Sequence, residues 1–167
     1  MEKVDFNDNL NKLTQQLPQG VFLTVKDGEK INTMTIGWAL SGRIWNENCL
    51  LVAVRYSRHT YEMMENTDEF VVSVPKEGVM KKELSFCGTK SGRDFDKFNE
   101  CNLTPFYVDE SNVPLIKECD LHFVCKKVYQ QSMEPSLIGA DFIHKKYCDK
   151  DYHVMYYGQV ISTYKND

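Results

Sequence analysis

Apolar positions along the chain fall in short runs bounded by glycine, proline and charged residues. Residues 20–26 (GVFLTVK), 31–40 (INTMTIGWAL) and 49–55 (CLLVAVR) are rich in β-branched and aromatic side chains and predict three opening strands. Asp27-Gly28 between the first two favours a tight turn, so the pair is expected as a hairpin. In the stretch that follows Ser57-Arg58-His59-Thr60, residues Tyr61, Met64 and Glu65 lie at helical offsets, with Ser57 or Thr60 available as the N-cap. Residues 69–75 (EFVVSVP) predict another strand, ended by a proline that cannot donate to a ladder.

Further along, 78–86 reads as a helix and 88–98 (GTKSGRDFDKF) as a polar, glycine-containing loop that passes into one turn of helix. Residues 102–108 and 120–130 predict strands, 134–147 a helical stretch, and 153–164 (HVMYYGQVISTY) a long final strand. The sum is about seven strands with three or four short helices inserted singly. That pattern suggests a mainly β, α+β chain: an antiparallel barrel with appended helices rather than a doubly wound sheet. No internal repeat, low-complexity tract or linker divides it, so residues 1–167 are expected to form a single domain.

Composition narrows the function classes. Across 167 residues, 20 Lys plus Arg stand against 24 Asp plus Glu, a formal charge of −4. The basic residues are scattered rather than massed, which argues against nucleic-acid binding. No apolar run reaches the roughly 20 residues of a membrane helix, and MEKVDFNDNLNK has no apolar stretch after its first charges. The expectation is a cytoplasmic protein with no membrane partner. The six cysteines are irregularly spaced and read as free thiols. A chain of this length buries roughly 70% of its unfolded surface without disulfides or metal.

The sequence lacks the signatures of several common chemistries. Cys119-x2-His122-x2-Cys125 resembles a zinc spacing, but strand periodicity turns 119 and 125 to one side and 122 to the other, so no metal site is expected. There is no Gly-x-Ser-x-Gly elbow, no Gly-x-Gly-x-x-Gly and no Gly-x-x-x-x-Gly-Lys-Ser/Thr. A phosphate-bearing ligand would be held another way, and two segments suit it. Arg55, Ser57, Arg58 and Thr60 bring two guanidinium groups and two hydroxyls to the start of a helix, where unpaired N–H groups favour an anion. Lys90, Ser91, Gly92 and Arg93, with Lys97 one turn later, pair a close backbone approach with three cations. A third segment, Asn32, Thr33, Met34 and Thr35 before Gly37-Trp38, sets polar side chains in a strand and suits the edge of a flat ring. Read without a ligand, the same segments are a capped helix with solvated arginines and a strand with one polar face.

Taken in order, NTMTIGW from Asn32, RYSRHTYE from Arg55, EFVVSVP from Glu69, SGRDFDKF from Ser91 and DYHVMYYGQV from Asp151 resemble the flavin reductase-like family, to which the flavoredoxins belong. The blocks extend over nearly the whole chain. The resemblance implies a split β-barrel binding FMN, usually as a homodimer with the flavin near the interface. It places Asn32, Thr33, Met34, Thr35 and Trp38 along the flavin ring and ribityl chain. Ser57, Arg58 and Thr60 fall at the phosphate-side turn, and Ser91, Gly92, Arg93 and Lys97 in the loop that closes over phosphate and ribityl. His153, five residues before Gly158, matches a family His-x4-Gly pattern near the flavin face where a nicotinamide or partner would approach, and is the candidate catalytic residue. Tyr152 stands where many members carry an aspartate directly before this histidine; here Asp151 lies one residue earlier.

The implied activity is electron transfer from NAD(P)H or a reduced donor through bound FMN to a free flavin, iron or a redox protein. A tightly bound FMN carrier with no nicotinamide site, and a barrel that has lost its cofactor, are the competing expectations.

Overall fold

The computed structural model describes residues 1–166. Ten strands are present: β1 (Glu2–Lys3), β2 (Val21–Asp27), β3 (Lys30–Ile36), β4 (Ala39–Ile44), β5 (Glu47–Arg55), β6 (Glu69–Val74), β7 (Pro105–Val108), β8 (Ser111–Ile116), β9 (Leu121–Ser132) and β10 (His153–Lys165). Five helices join them: α1 (Leu10–Gln16), α2 (His59–Asn66), α3 (Lys81–Thr89), α4 (Lys97–Glu100) and α5 (Asp141–His144). Every strand pairing is antiparallel.

The main sheet runs β3-β2-β6-β9-β10-β5-β4, with β1 paired to β10. Its two end strands, β3 and β4, are consecutive in the chain and separated only by Gly37 and Trp38. These two residues carry the chain from one end of the sheet to the other, and the split of the barrel lies between those ends. The 31–40 run is therefore two strands rather than one. Gly37 suits the crossing because a β-carbon there would stand 3.2 Å from the Leu17 carbonyl oxygen.

Strand alternation builds the core. Leu50, Val52 and Val54 of β5 and Val154 and Tyr156 of β10 point inward with Leu23, Val72 and Phe123. The intervening residues of β5 and β10, among them Leu51, Ala53, His153, Met155 and Tyr157, point to the opposite face and are buried or half-buried there. The hairpin β2–β3 closes through Gly28, at a φ of +57° that a side-chain-bearing residue rarely adopts. A glycine also shapes β10: a β-carbon on Gly158 would meet the Phe70 ring at 2.4 Å, and the β9–β10 register shifts at this residue. Gly158, the second half of the His-x4-Gly pattern, is thus fixed by packing.

Three further expectations change. Residues 134–147 form only a 3-10 turn and the four-residue α5, because Pro135 and Gly139 interrupt the stretch and it buries little besides Tyr147. The helix expected at 78–86 begins three residues later and runs to Thr89, through Gly88, whose lack of a side chain lets it approach Thr35. Helix α1, which burial of Leu13 and Gln16 anchors, arises in an opening stretch read as polar. The ribbon β7–β8 holds Pro114, tolerated on a two-stranded edge.

Candidate functional site

Strand β3 is one edge of the split, and two adjoining hollows lie at it. One, of about 180 Å³, is lined by Met34, Thr35, Ile36, Gly37 and Trp38 together with Ala53, Arg55, Arg58 and His153. The other, of about 120 Å³, is lined by Ser57, Arg58, His59 and Thr60 at the start of α2 and by residues 89–93 and Lys97. Met34 and Arg58 belong to both, so the hollows meet end to end.

The second hollow is built from three interlocked elements. Asn32 donates Nδ2 to Thr60 Oγ1 at 3.0 Å, tying β3 to the first turn of α2. Thr60 Oγ1 accepts that bond and keeps its own proton. Gly92 closes the group: a β-carbon there would lie 2.2 Å from Asn32 Oδ1 and 3.0 Å from the His59 ring, so only glycine fits. On the far wall, Lys97 is 4% exposed and donates Nζ to the Cys87 carbonyl at 2.9 Å. Burial depresses its basicity and the Arg58 charge adds to this, while Cys87 opposes them. Among the described residues Lys97 has no carboxylate partner, and the Arg58 guanidinium makes no hydrogen bond or ion pair. Arg58 and Lys97 therefore face one hollow without a counter-charge, with the exposed Lys90 at its rim, at a helix start whose N-cap side chain makes no capping bond. A bound anion would supply the missing charge.

Other expected ligands have prior commitments. Arg55 donates to both Asp149 oxygens at 3.2 Å, to the Asp151 carbonyl at 2.9 Å and to the Lys146 carbonyl at 2.8 Å, and its guanidinium lies 5.2 Å from the Tyr147 ring centre. It clamps the 146–151 segment and presents little to a phosphate. Ser57 donates Oγ to Asp151 at 2.6 Å. Arg93 pairs with Glu62 at 2.6 Å and with the Ser57 carbonyl at 3.3 Å, latching the glycine loop to α2. Arg93 and His59 hold the Glu62 carboxyl below the usual range. Ser91 Oγ accepts from the Arg93 N–H and still lines the hollow. Thr35 donates its hydroxyl to the Leu84 carbonyl at 2.7 Å, and Thr33 turns to the Leu23 carbonyl at 3.2 Å, lining neither hollow. The groups left with donors to spare are Arg58, Thr60, Lys90, Ser91 and Lys97, Lys90 being exposed and resting over the Phe95 ring.

The first hollow is flatter and more aromatic. Trp38, 44% exposed, stands with its ring centre 4.9 Å from that of His153. His153 is buried, and its Nδ1 is 2.7 Å from the hydroxyl of Tyr147. Burial lowers its pKa to about 4, with Arg55 and Arg58 adding to the effect against Asp151, so the ring is uncharged at neutral pH. Asp151, the displaced acid of the family pattern, is engaged by Ser57. Tyr147 lies at the end of a stretch read as helical, where no local pattern brings it to His153; Thr89 and Ala53, which line the hollows, are small residues that carry no chemical signal.

The cysteines behave as thiols. Cys87 and Cys101 approach to 3.9 Å between sulfurs beneath the glycine loop, and burial pushes the Cys87 thiol up to about 12. Neither is poised as a thiolate. All six cysteines are free. No helix among the described residues is long and apolar enough to cross a membrane.

The family model of the flavin reductase like domain matches residues 14–167. An uncharacterized protein of Archaeoglobus fulgidus is 30% identical over 141 residues, 84% of this chain and 78% of that protein. The crystal structure of a flavoredoxin from Methanosarcina acetivorans superimposes with a TM-score of 0.69 at 27% identity, covering 89% of this chain and 68% of that one. An NADH:FAD oxidoreductase of Streptomyces globisporus shares the fold at a TM-score of 0.66 and 22% identity, covering 99% of this chain and 88% of that one.

Proposed function

The chain belongs to the flavin reductase-like domain family, and from that premise we propose that it is an FMN-binding oxidoreductase that takes electrons from NAD(P)H or a reduced donor and passes them to a free flavin, iron or a protein acceptor. The observation that carries the reading is the pair of uncompensated cations, Arg58 and Lys97, at one end of a hollow whose other end is a flat shelf of β3 backbone and Trp38. A phosphate would take the place of the missing counter-charge, with Thr60 and Ser91 donating hydroxyl protons. The ring would lie along Met34, Thr35 and Gly37, beneath the uncharged His153.

When bound, the flavin supplies the hydride and single-electron chemistry. The protein's part is to fix the ring, hold the phosphate and keep a charge off His153. No general acid or covalent nucleophile is needed, in keeping with Cys87 held as a thiol.

Each hollow is smaller than the roughly 300–1,000 Å³ typical of pockets that enclose a ligand, which supports a homodimer in which a second copy completes the site. The outward face of β10 and β5 runs from the hollow at His153, Arg55 and Ala53 along Met155 to Leu51 and Tyr157. There it joins the exposed Leu40, Tyr129 and Trp45, the last two with ring centres 6.0 Å apart. An apolar stripe continuous with the flavin hollow suits a second copy of this chain. The free cysteines suit the cytoplasm.

The test is the absorbance spectrum of the purified protein titrated with FMN, followed by anaerobic mixing with NADH and NADPH. FMN binding with bleaching at catalytic rates supports the reductase. Indifference to both nicotinamides supports an FMN carrier, and protein that binds no FMN refutes the reading.

A further inference from the structure

The geometry points to Tyr147 as a positioning residue whose phenol donates to Nδ1 of His153, so that the remaining ring nitrogen, as Nε2–H, is a fixed donor to a ligand in the first hollow. This deepens the proposed function and rests on the hollow receiving a flavin or its redox partner; the ring assignment itself does not.

The Tyr147 hydroxyl makes one hydrogen bond, to His153 Nδ1 at 2.7 Å. Burial raises the Tyr147 pKa, so the phenol keeps its proton through the physiological range. A neutral imidazole carries one N–H and one bare nitrogen. If Nδ1 bore the hydrogen, the phenol proton would have no acceptor among the described residues; with Nδ1 bare, the phenol proton is bonded and Nε2 carries the hydrogen. Nε2 is not among the buried atoms left without a partner, whereas the equivalent atom of His122 is. Since His153 lines the hollow, the free N–H opens onto it.

The titratable and charged groups that face His153 are Tyr147, Arg55, Arg58 and Asp151. Asp151 is drawn off by Ser57 at 2.6 Å, so no carboxylate bonds the ring. The ring's attitude is set by aromatic neighbours: Tyr147 stands edge-on at 5.5 Å and Trp38 tilts over it at 4.9 Å. Arg55 in turn fixes Tyr147 by lying against its ring and bonding the Lys146 carbonyl next to it. In this chain a phenol from the 146–151 segment therefore takes the orienting part. An uncharged N–H beside an aromatic shelf matches a carbonyl oxygen or ring nitrogen of a planar ligand, and cannot act as a proton source at neutral pH.

The test begins on the cofactor-free protein labelled with ¹⁵N at histidine. Two-bond ¹H–¹⁵N spectra are expected to show His153 as the Nε2–H tautomer, remaining uncharged to about pH 5. An Nδ1–H tautomer, or an imidazolium at pH 6 to 7, would overturn the proposal whatever the protein does with FMN. In Tyr147→Phe both tautomers should appear and the His153 titration should move up in pH; an unchanged spectrum also counts against it. If that variant does not fold, the wild-type spectrum still decides. With FMN present, His153→Gln, which keeps a donor near the Nε2 position, should hold FMN and its reduction potential closer to wild type than His153→Asn. The reverse order refutes the donor role. Failure of the wild type to bind FMN would remove the proposed function and leave the tautomer result standing.

Discussion

Gly92 approaches Asn32 so closely that a β-carbon at position 92 would fall 2.2 Å from the Asn32 amide oxygen. The glycine loop reaches β3 only because it lacks a side chain at this point. Gly92→Ala must displace either the loop or the Asn32 amide, and the second breaks the bond to Thr60. Overpacking of this kind costs about 1–3 kcal/mol. Chemical denaturation should show that loss, and FMN titration of the folded variant should show binding weakened at least about tenfold, since one hydrogen bond to a charged group is worth about 1.5–3 kcal/mol.

Arg55 and Arg58 should separate stability from binding. Arg55 holds the 146–151 segment through Asp149, Asp151 and Lys146, so Arg55→Ala is expected to lower stability by about 1–3 kcal/mol. Arg58 has no such partners, and Arg58→Ala should leave the denaturation midpoint close to wild type while weakening FMN binding by about 1–3 kcal/mol. Equal effects of the two substitutions on FMN affinity would contradict the clamp assignment.

Lys97 offers a sign reversal. Its ammonium is buried, bonded to a single carbonyl and close to a second cation, so the cofactor-free protein carries the cost of its desolvation. Lys97→Met should raise the stability of the empty protein and lower its affinity for FMN. Paired thermal melts, with and without FMN, would read both signs: the variant melts higher alone and gains less from ligand.

These contrasts show where the sequence was legible. Thr60, Gly92 and Lys97 stand in short blocks whose residue types match an anion, and the structure sets them round one hollow, while Asn32, which lines neither hollow, ties β3 to α2. Arg55, Ser57 and Arg93 have the same types in the same blocks but are drawn off by Asp149, Asp151 and Glu62, partners set by tertiary pairing that no local pattern encodes. Arg58 is free for an equally non-local reason, since no acid lands beside it. In the fold, the long runs of β2, β5, β6, β9 and β10 were legible from their period. The break at Gly37-Trp38 was not, because either residue fits a strand and only the closure of the sheet demands a crossing there. Helix α1 was within reach: Leu10, Leu13 and Leu17 have helical spacing, masked by the polar residues between them.

Acid should weaken the fold through two buried histidines. Burial lowers His122 to about 4 and His153 to about 4, against an ordinary value of 6.5. Above pH 6.5 both states are neutral and the histidines impose no proton-linked penalty. As pH falls below 6.5 the unfolded chain binds protons that the folded chain refuses, so stability declines until about pH 4, where the folded rings begin to titrate. His122, held in the sheet against Ser73 at 3.0 Å, should account for roughly 3 kcal/mol of that decline. Urea midpoints from pH 7.5 to 4.5 would measure it, and His122→Asn should flatten the curve. FMN, if it seats beside His153, should not abolish the His122 share.

The outward face of β5 and β10 makes a final prediction about assembly. Tyr157 pairs with Leu51 on one side and Tyr129 on the other, Leu51 pairs with Leu40, and Trp45 closes over both tyrosines, with ring centres 5.8 Å from Tyr157 and 6.0 Å from Tyr129. Leu40 is 71% exposed, an uncommon position for a leucine that has no covering partner. The same strand faces continue to Ala53 and His153 in the hollow, so a second copy seated here would shield the flavin as well as the stripe. Leu40→Glu combined with Tyr129→Glu should convert a dimer to a monomer in sedimentation velocity, because like charges would meet across a two-fold contact. FMN affinity should fall in the same variant although neither residue lines the hollow. A monomeric wild type, or a monomeric variant with undiminished affinity, would show that one chain encloses the flavin by itself.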